Sequence, residues 1–254
     1  MAITQWHKDE IVRCARSFRY FAEKYLKAHR PEGTVPFRLY DHQERLAQTA
    51  EENRFVLSVK YRQGGFTEGV LAFFVWQCLF NLDQNILCLF RTDRTAWETG
   101  RVVKRWLEEL PQFLQPDMSR NNDHNKYFDE TNCKLWFHAP QAACGRAVNW
   151  LFIDEAAFIS DMDQHWKAIY PTLACGGKAI IQSTPNGKYR NRKSREHDWF
   201  YDLVFLTRQG SQTFSLLEHD YRQHPDFTPE RIEELKRNLG EKGFRQEILC
   251  EFSD

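Results

Sequence analysis

A run of apolar residues that ends in two adjacent carboxylates constrains the fold of this chain most. Trp150–Ile153 are all bulky and apolar, and Asp154 and Glu155 follow them directly. An unbroken apolar run of this kind predicts a strand that is buried on both faces, as in a parallel sheet. The two acids would then lie at the carboxyl edge of the sheet, where open α/β folds bind their ligands.

Two interpretations of this acid pair are open from the stretch alone. In a nucleotide-hydrolysing site, Asp154 would help to hold Mg²⁺ and Glu155 would polarise the attacking water. Alternatively, the two acids would simply begin a helix, because carboxylates are favoured at the positive end of the helix dipole.

A glycine-containing loop is the second informative feature. It follows a predicted buried strand at residues 54–60 and precedes a largely apolar helix at residues 70–80. This order is typical of a phosphate-binding loop, in which backbone N–H groups and a helix N-terminus face the anion. The usual pattern, GxxxxGK(S/T), is incomplete: Gly65 and Thr67 can be placed, but Phe66 stands at the lysine position and the first glycine is missing.

The missing lysine has a possible substitute at the start of the loop. Lys60 stands at the end of the predicted strand, and its flexible stem could bring an ammonium to the same phosphates from the other side. Arg62 is a second cation nearby. The alternative is a glycine turn without a nucleotide, or a degenerate site that no longer hydrolyses.

Four further features are candidates, and three of them have an ordinary alternative. Gln43, at the entrance of a short helix, could pair with an adenine edge through its amide, or be a surface residue. Arg146 could reach a γ-phosphate in its own subunit or a neighbour, or form a surface salt bridge. Ser183 and Thr184 end another predicted strand, where a hydroxyl could sense the γ-phosphate. The basic run 188–195 could follow a phosphate backbone, or be a solvated loop.

Hydrophobic periodicity predicts the remaining elements. One helix is expected at residues 8–28 and is ended by Pro31 and Gly33. The tail is expected to contain two helical stretches separated near Gly240. The other predicted elements are strands at 85–90, 134–138 and 178–183, and helices at 93–110 and 163–170.

Composition limits the class of protein. The 254 residues contain 35 Lys and Arg against 35 Asp and Glu, so any contact with DNA must come from a local patch. The seven cysteines are scattered without a CxxC pair, which indicates neither a zinc site nor a disulfide framework and favours a reducing compartment. The N-terminus is too polar for a signal peptide, and no segment has the apolar length that a membrane span requires.

In their order along the chain, these stretches resemble the ATPase domain of the large terminase subunit, the DNA-packaging motor of tailed bacteriophages and herpesviruses. The lysine at the start of the loop departs from many terminases but is similar to a subset that includes lambda-like ones. The matching positions are Gln43 with its preceding aromatic residue, the loop 60–67, residues 153–158, residues 183–187 and the closing run 244–252.

The resemblance implies a P-loop NTPase fold of the ASCE type, an α/β fold whose central, mainly parallel sheet is flanked by helices on both faces. We expect a helical segment with the adenine motif at 1–50, the ATPase core at 51–210, and a helical subdomain or linker at 211–254. The family's nuclease domain would follow, so the chain resembles the motor half alone.

The resemblance also implies a role for each matched residue. ATP would be bound by Gln43 at adenine, by Lys60 and Arg62 at the β- and γ-phosphates, and by the loop. Glu155 would activate water, with Arg146 as an arginine finger acting in trans. The remaining implied positions are Gln63, Gly64, Gly65 and Phe66 in the loop, Thr67 and Asp154 at Mg²⁺, and Ser183 and Thr184 in the coupling element.

The implied partners are double-stranded DNA, the viral portal protein, the small terminase subunit and further copies of the chain in a ring, expected to be a pentamer. No membrane is implied, and the expected location is the cytoplasm of the host cell. Two other functions remain open: a helicase-like or repair ATPase of the P-loop class, and a scaffold that binds nucleic acid without hydrolysis.

Overall fold

The computed structural model describes residues 3–31, 33–142, 147–191 and 196–253. The strands are β1 (Lys27–Arg30), β2 (Gly33–Pro36), β3 (Phe55–Val59), β4 (Asn85–Leu89), β5 (Met118–Asn121), β6 (Asn125–Phe128), β7 (Cys133–His138), β8 (Trp150–Ile153), β9 (Lys178–Ser183), β10 (Tyr189–Asn191), β11 (Glu196–His197) and β12 (Ser215–Glu218). The helices are α1 (Gln5–Arg16), α2 (Phe18–Tyr25), α3 (Asp41–Glu52), α4 (Phe66–Phe80), α5 (Asp93–Glu109), α6 (Met162–Ile169), α7 (Trp199–Arg208) and α8 (Pro229–Glu247).

An eight-stranded sheet organises the chain, in the order β12-β3-β9-β8-β4-β7-β6-β5. The six strands from β12 to β7 run parallel, and β6 and β5 continue the sheet antiparallel. Only β9 separates β3 from β8, so the loop after β3 and the acids after β8 meet at one edge, roughly 10 Å apart at two strand spacings. The predicted mainly parallel α/β sheet is confirmed.

Helices cover both faces of the sheet because the buried strands alternate their side chains between two cores. Phe152 and Ile180 face a core shared with α1 to α5. Leu151, Ile153 and their neighbours face a second core shared with α6 and α7. The strands are therefore apolar on both sides, which explains the unbroken apolar runs in the sequence.

The amino end of the chain differs from the prediction. The single helix expected at residues 8–28 is two helices, because Ser17 lies between them with extended backbone and its hydroxyl accepts a hydrogen bond from the Tyr20 N–H at 3.2 Å. Residues 27–30 and 33–36 pair as the antiparallel strands β1 and β2 instead of ending a helix. Apolar spacing alone does not show such a cap in the middle of a periodic run.

The carboxyl end contributes to the sheet as well as to a helix. Strand β12 pairs in parallel with β3, although residues 211–254 were expected to be helical or a linker. Helix α8 is interrupted at Gly240, whose φ of 66° lies in the left-handed region, so the two expected helical stretches are present. The division into three segments stays a prediction. Among the described residues, no helix combines the length and apolarity needed to cross a membrane.

We predict that Phe152→Ala destabilises the fold strongly. The Phe152 ring is fully buried and lies 6.1 Å, between centroids, from the rings of both Phe74 and Phe90. Removing it should lower the free energy of unfolding by about 3–5 kcal/mol. Urea unfolding measures this loss and compares it with the loss in Leu82→Ala. Leu82 is 67% exposed, so its substitution should lower the free energy of unfolding by less than about 0.5 kcal/mol. Similar losses in the two variants would contradict the assignment of this core.

Candidate functional site

The loop between β3 and α4 has the tight backbone that phosphate-binding loops need. Gln63 and Gly65 have positive φ angles of 65° and 69°. A Cβ added to Gly64 would lie 2.4 Å from a ring carbon of Phe66 and 2.7 Å from one of Tyr61, so only glycine fits there. Gly65 directly precedes α4, whose first N–H groups are therefore available at the loop.

Lys60 connects the loop to the acid pair. Its side chain is 6% exposed, and its Nζ lies 2.6 Å from Glu155 Oε1 and 3.5 Å from Asp154 Oδ1. Burial disfavours the charged ammonium, but the two carboxylates outweigh it and raise the pKa of Lys60 above its usual value. Lys60 is therefore a buried cation that is held in place by the acids after β8.

Asp154 is held by two side chains from different elements. The Thr67 hydroxyl donates to Asp154 Oδ2 at 2.7 Å, and the Gln182 amide donates to Asp154 Oδ1 at 2.8 Å. A hydroxyl beside a carboxylate is a suitable partial ligand set for Mg²⁺, which usually keeps waters and phosphate oxygens as its other ligands. In the described ranges, no group of three or more His, Cys, Asp or Glu residues could hold a metal by itself.

Glu155 has an unusual backbone conformation and one side-chain oxygen without a described hydrogen bond. Its φ of 51° is left-handed, which is uncommon and strained for glutamate. Its Oε2 atom is buried and has no hydrogen-bond partner among the described residues, although such atoms are nearly always paired. Glu155 therefore combines a strained backbone with a buried carboxylate oxygen that no described group binds.

Two cavities meet at Glu155. The larger, of about 980 Å³, is lined by Tyr40, the loop from Lys60 to Glu68, and Glu155. Its volume is at the upper end of the range for small-molecule and cofactor sites. The smaller, of about 180 Å³, is lined by Arg62, Asp154 and Glu155, together with Phe90, Arg91, Thr95 and Phe158. Arg62 and Glu155 therefore line both cavities.

Gln43 lies against the loop, and its amide bonds to backbone at both ends. Its Nε2 donates to the Gly65 carbonyl at 2.6 Å, and its Oε1 accepts from the Tyr40 N–H at 2.9 Å. The residue is only 3% exposed. The expected contact with adenine stays a prediction, and one N–H of the amide is already used by the loop.

Arg62 is close to the site but is bonded to α8. Its Nε lies 2.5 Å from Glu247 Oε2, and its backbone N–H donates to the Glu247 carbonyl at 2.8 Å. The neighbouring Gln63 Oε1 accepts from Arg231 at 3.1 Å. A phosphate contact of Arg62 would require the guanidinium to leave Glu247.

Ser183 and Thr184 are both buried beside the segment that follows the acids. Ser183 Oγ accepts from the Ala157 N–H at 3.2 Å, and the Ser183 carbonyl accepts from the Lys60 N–H at 3.0 Å. The Thr184 hydroxyl has no hydrogen-bond partner within the described part of the chain. The end of β9 thus contacts both the loop and the acid strand. Arg146 and half of the basic run, residues 192–195, lie outside the described residues.

Three residues that this geometry brings to the site were not predicted from the sequence. They are Gln182 on Asp154, Glu247 on Arg62, and His42, whose Nε2 lies 2.7 Å from the Gly64 carbonyl. Gln182 left one signal, because it is a polar residue directly after the apolar residues Ala179–Ile181. Glu247 lies in the closing run 244–252 and His42 directly precedes Gln43, but neither stretch indicates these contacts.

Solved structures with a similar fold include large terminases of phages and the ATPase domain of one of them. The Thermus phage P74-26 large terminase ATPase domain matches with a TM-score of 0.65 and 17% identity, over 85% of this chain and 94% of that one. The bacteriophage HK97 large terminase matches with a TM-score of 0.73 and 11% identity, over 94% of this chain and 55% of that one. A large terminase from a thermophilic bacteriophage, solved in complex with ATP-gamma-S, matches at 0.64 and 13% identity, over 84% and 53%.

These identities establish the fold alone, and the chain spans only about half the length of the last two proteins. The family is shown by a sequence comparison. A family model described as terminase large subunit, T4likevirus-type, N-terminal, matches residues 59–254, which is most of the chain. This chain therefore belongs to the family of terminase large subunits, and it corresponds to their N-terminal part.

Proposed function

We propose that this chain is the Mg²⁺-dependent ATPase motor domain of a viral large terminase and translocates double-stranded DNA into a procapsid. The proposed ATPase activity is inferred mainly from the position of Lys60, which is a buried cation between a glycine loop and an acid pair. This arrangement supplies a cation for phosphates and a carboxylate for water in one place, despite the incomplete loop pattern.

ATP binding begins with a change of partner at Lys60. The triphosphate, lying in the larger cavity, competes with Glu155 for the ammonium, because a buried lysine needs an anion beside it. Gln63, Gly64, Gly65 and Phe66 contribute backbone N–H groups at the start of α4. Gln43 contacts adenine with its remaining N–H. Arg62 is a second cation for the phosphates once it leaves Glu247.

Glu155, released from Lys60, polarises the attacking water. The smaller cavity, which Asp154 and Glu155 also line, provides space for this water. Thr67 and Asp154 hold Mg²⁺, and Gln182 keeps the Asp154 carboxylate in place. When bound, Mg²⁺ neutralises charge on the β- and γ-phosphate oxygens.

Ser183 and Thr184 form the coupling element between hydrolysis and movement. Ser183 bonds on one side to the backbone of the loop and on the other to the segment after the acids. A shift of Glu155 or Lys60 therefore reaches the end of β9 through two hydrogen bonds. Arg146 completes the site of a neighbouring subunit as an arginine finger, in the manner of trans-acting arginines of other NTPases.

The motor works as a ring of identical subunits, a pentamer, on the viral portal protein, with the small terminase subunit and duplex DNA as partners in the host cytoplasm. Membership of the terminase family supports these partners. The balanced charge of the chain means that the grip on DNA comes from a local basic surface.

We predict that Glu155→Gln abolishes hydrolysis and leaves binding intact. The amide cannot activate water, so phosphate release should fall at least about 100-fold. Binding of a fluorescent ATP analogue should be unchanged or tighter, because a neutral side chain competes less for Lys60. Glu52→Gln, at an exposed carboxylate, is the matched control and should hydrolyse normally. Unchanged turnover in Glu155→Gln would refute the assignment.

Translocation is predicted to proceed without strand separation. With procapsids and ATP, the full-length subunit should make duplex DNA resistant to nuclease, and a labelled duplex should stay paired throughout. Strand separation by the same preparation would favour a helicase-like ATPase. Binding of DNA without phosphate release, with and without Mg²⁺, would favour a non-hydrolysing scaffold.

A further inference from the structure

Three histidines are buried directly behind the loop, and the proposed chemistry uses none of them. His42 is in the first turn of α3, His219 follows β12, and His224 follows a short 3-10 helix at Tyr221–Gln223. The His42 ring centroid lies 6.2 Å from that of His219 and 5.7 Å from that of His224. We call these three residues the histidine cluster.

His42 alone in this cluster has a described hydrogen bond to the loop. Its Nε2 lies 2.7 Å from the Gly64 carbonyl oxygen, and because a carbonyl only accepts, Nε2 is the donor. His219 Nε2 lies 3.0 Å from the Ser58 hydroxyl in β3. His224 Nδ1 accepts from the Asp226 N–H at 3.1 Å. The three rings therefore have different polar partners.

The His42 bond fixes the direction of one loop peptide. All described peptides are trans, and a trans peptide holds its C=O and N–H in opposite directions. With the Gly64 oxygen turned to His42, the N–H of Gly65 points to the other side of the loop. Gln43 acts in the same way on the next peptide, since its amide donates to the Gly65 oxygen.

The surroundings hold the His42 ring in place. Tyr40 stacks on it at 5.6 Å with planes 10° apart, and Phe66 packs against it at 4.6 Å. Burial lowers the pKa of His42 below its usual value, so the ring is neutral at neutral pH and has a single N–H to donate.

Gly69 lets α3 approach α4 closely, because an added Cβ there would lie 2.9 Å from Gln43 Cβ.

We propose that His42 is a positioning residue for nucleotide binding: its imidazole holds the Gly64 carbonyl so that the following loop N–H groups face the phosphates. This inference rests on the proposed ATP site. It also explains how a loop without the first glycine and the usual lysine keeps an anion-binding shape, since the shape is imposed by α3 from outside the loop.

The test compares three variants by their dissociation constants for Mg·ATPγS. His42→Phe keeps an aromatic ring and removes the donor, and its dissociation constant should rise about tenfold, as expected when a buried acceptor loses its hydrogen bond. His42→Gln keeps an N–H at a similar reach, and its value should return to within about threefold of the unsubstituted chain. His219→Phe removes a buried imidazole that bonds to β3 and should change the value less than about twofold.

Rescue by glutamine is the result that a merely structural role for the ring would not give. The inference is overturned if His42→Phe binds within about twofold of the unsubstituted chain, if His42→Gln is as weak as His42→Phe, or if His219→Phe loses as much affinity. Thermal unfolding of each variant checks that the chain is folded.

A measurement on the unsubstituted chain does not depend on a variant folding. Nitrogen-15 spectra of the histidine rings at pH 7 should show His42 neutral with its proton on Nε2, and a proton on Nδ1 alone would overturn the inference. Binding is measured instead of turnover, so a chain that binds ATPγS without hydrolysing ATP contradicts the proposed catalysis and leaves the test of His42 valid. A chain that binds no nucleotide overturns both the proposed ATP site and the proposed role of His42.

Discussion

The ion pair between the buried Lys60 ammonium and the carboxylates after β8 is the interaction on which the site depends. A charge this deeply buried costs about 3–5 kcal/mol when it is left without a partner. Lys60 therefore needs an anion beside it, and in this structure that anion is Glu155. In the proposed ATP site a phosphate would replace Glu155 as the partner of Lys60, so the arrival of the nucleotide would release the carboxylate that is proposed to activate water.

The loop around this lysine takes its shape largely from other elements. The first turn of α3 bonds to two successive carbonyls, at Gly64 and Gly65, and the end of α8 bonds to Arg62 through Glu247. A loop that is held by bonds from two helices can keep its N–H groups directed at an anion even when it lacks the usual GxxxxGK(S/T) pattern. The order β3-β9-β8 brings the acids to the same edge, which makes the short bond between Lys60 and Glu155 possible.

Sequence patterns predicted the parts of the fold that local chemistry determines. The strands β3 and β8 could be predicted from the sequence because they are buried on both faces and therefore consist of unbroken apolar runs. The position of the acids followed from the direction of a parallel strand, whose carboxyl end lies at the ligand-binding edge of the sheet. The edge strand β12 is short and only partly buried, and it left no comparable pattern. The contacts of Arg62 with Glu247 and of His42 with Gly64 join residues distant in sequence, so they depend on tertiary packing that no local window contains.

We expect Lys60 to change its partner from Glu155 to the triphosphate when the nucleotide binds. A crystal structure of the chain with Mg²⁺ and a non-hydrolysable ATP analogue tests this exchange. We expect Lys60 Nζ within hydrogen-bonding distance of a β- or γ-phosphate oxygen, and the Glu155 carboxylate away from the ammonium and facing the γ-phosphate. A nucleotide bound with Lys60 still paired to Glu155, or with its phosphates away from the loop, would contradict it.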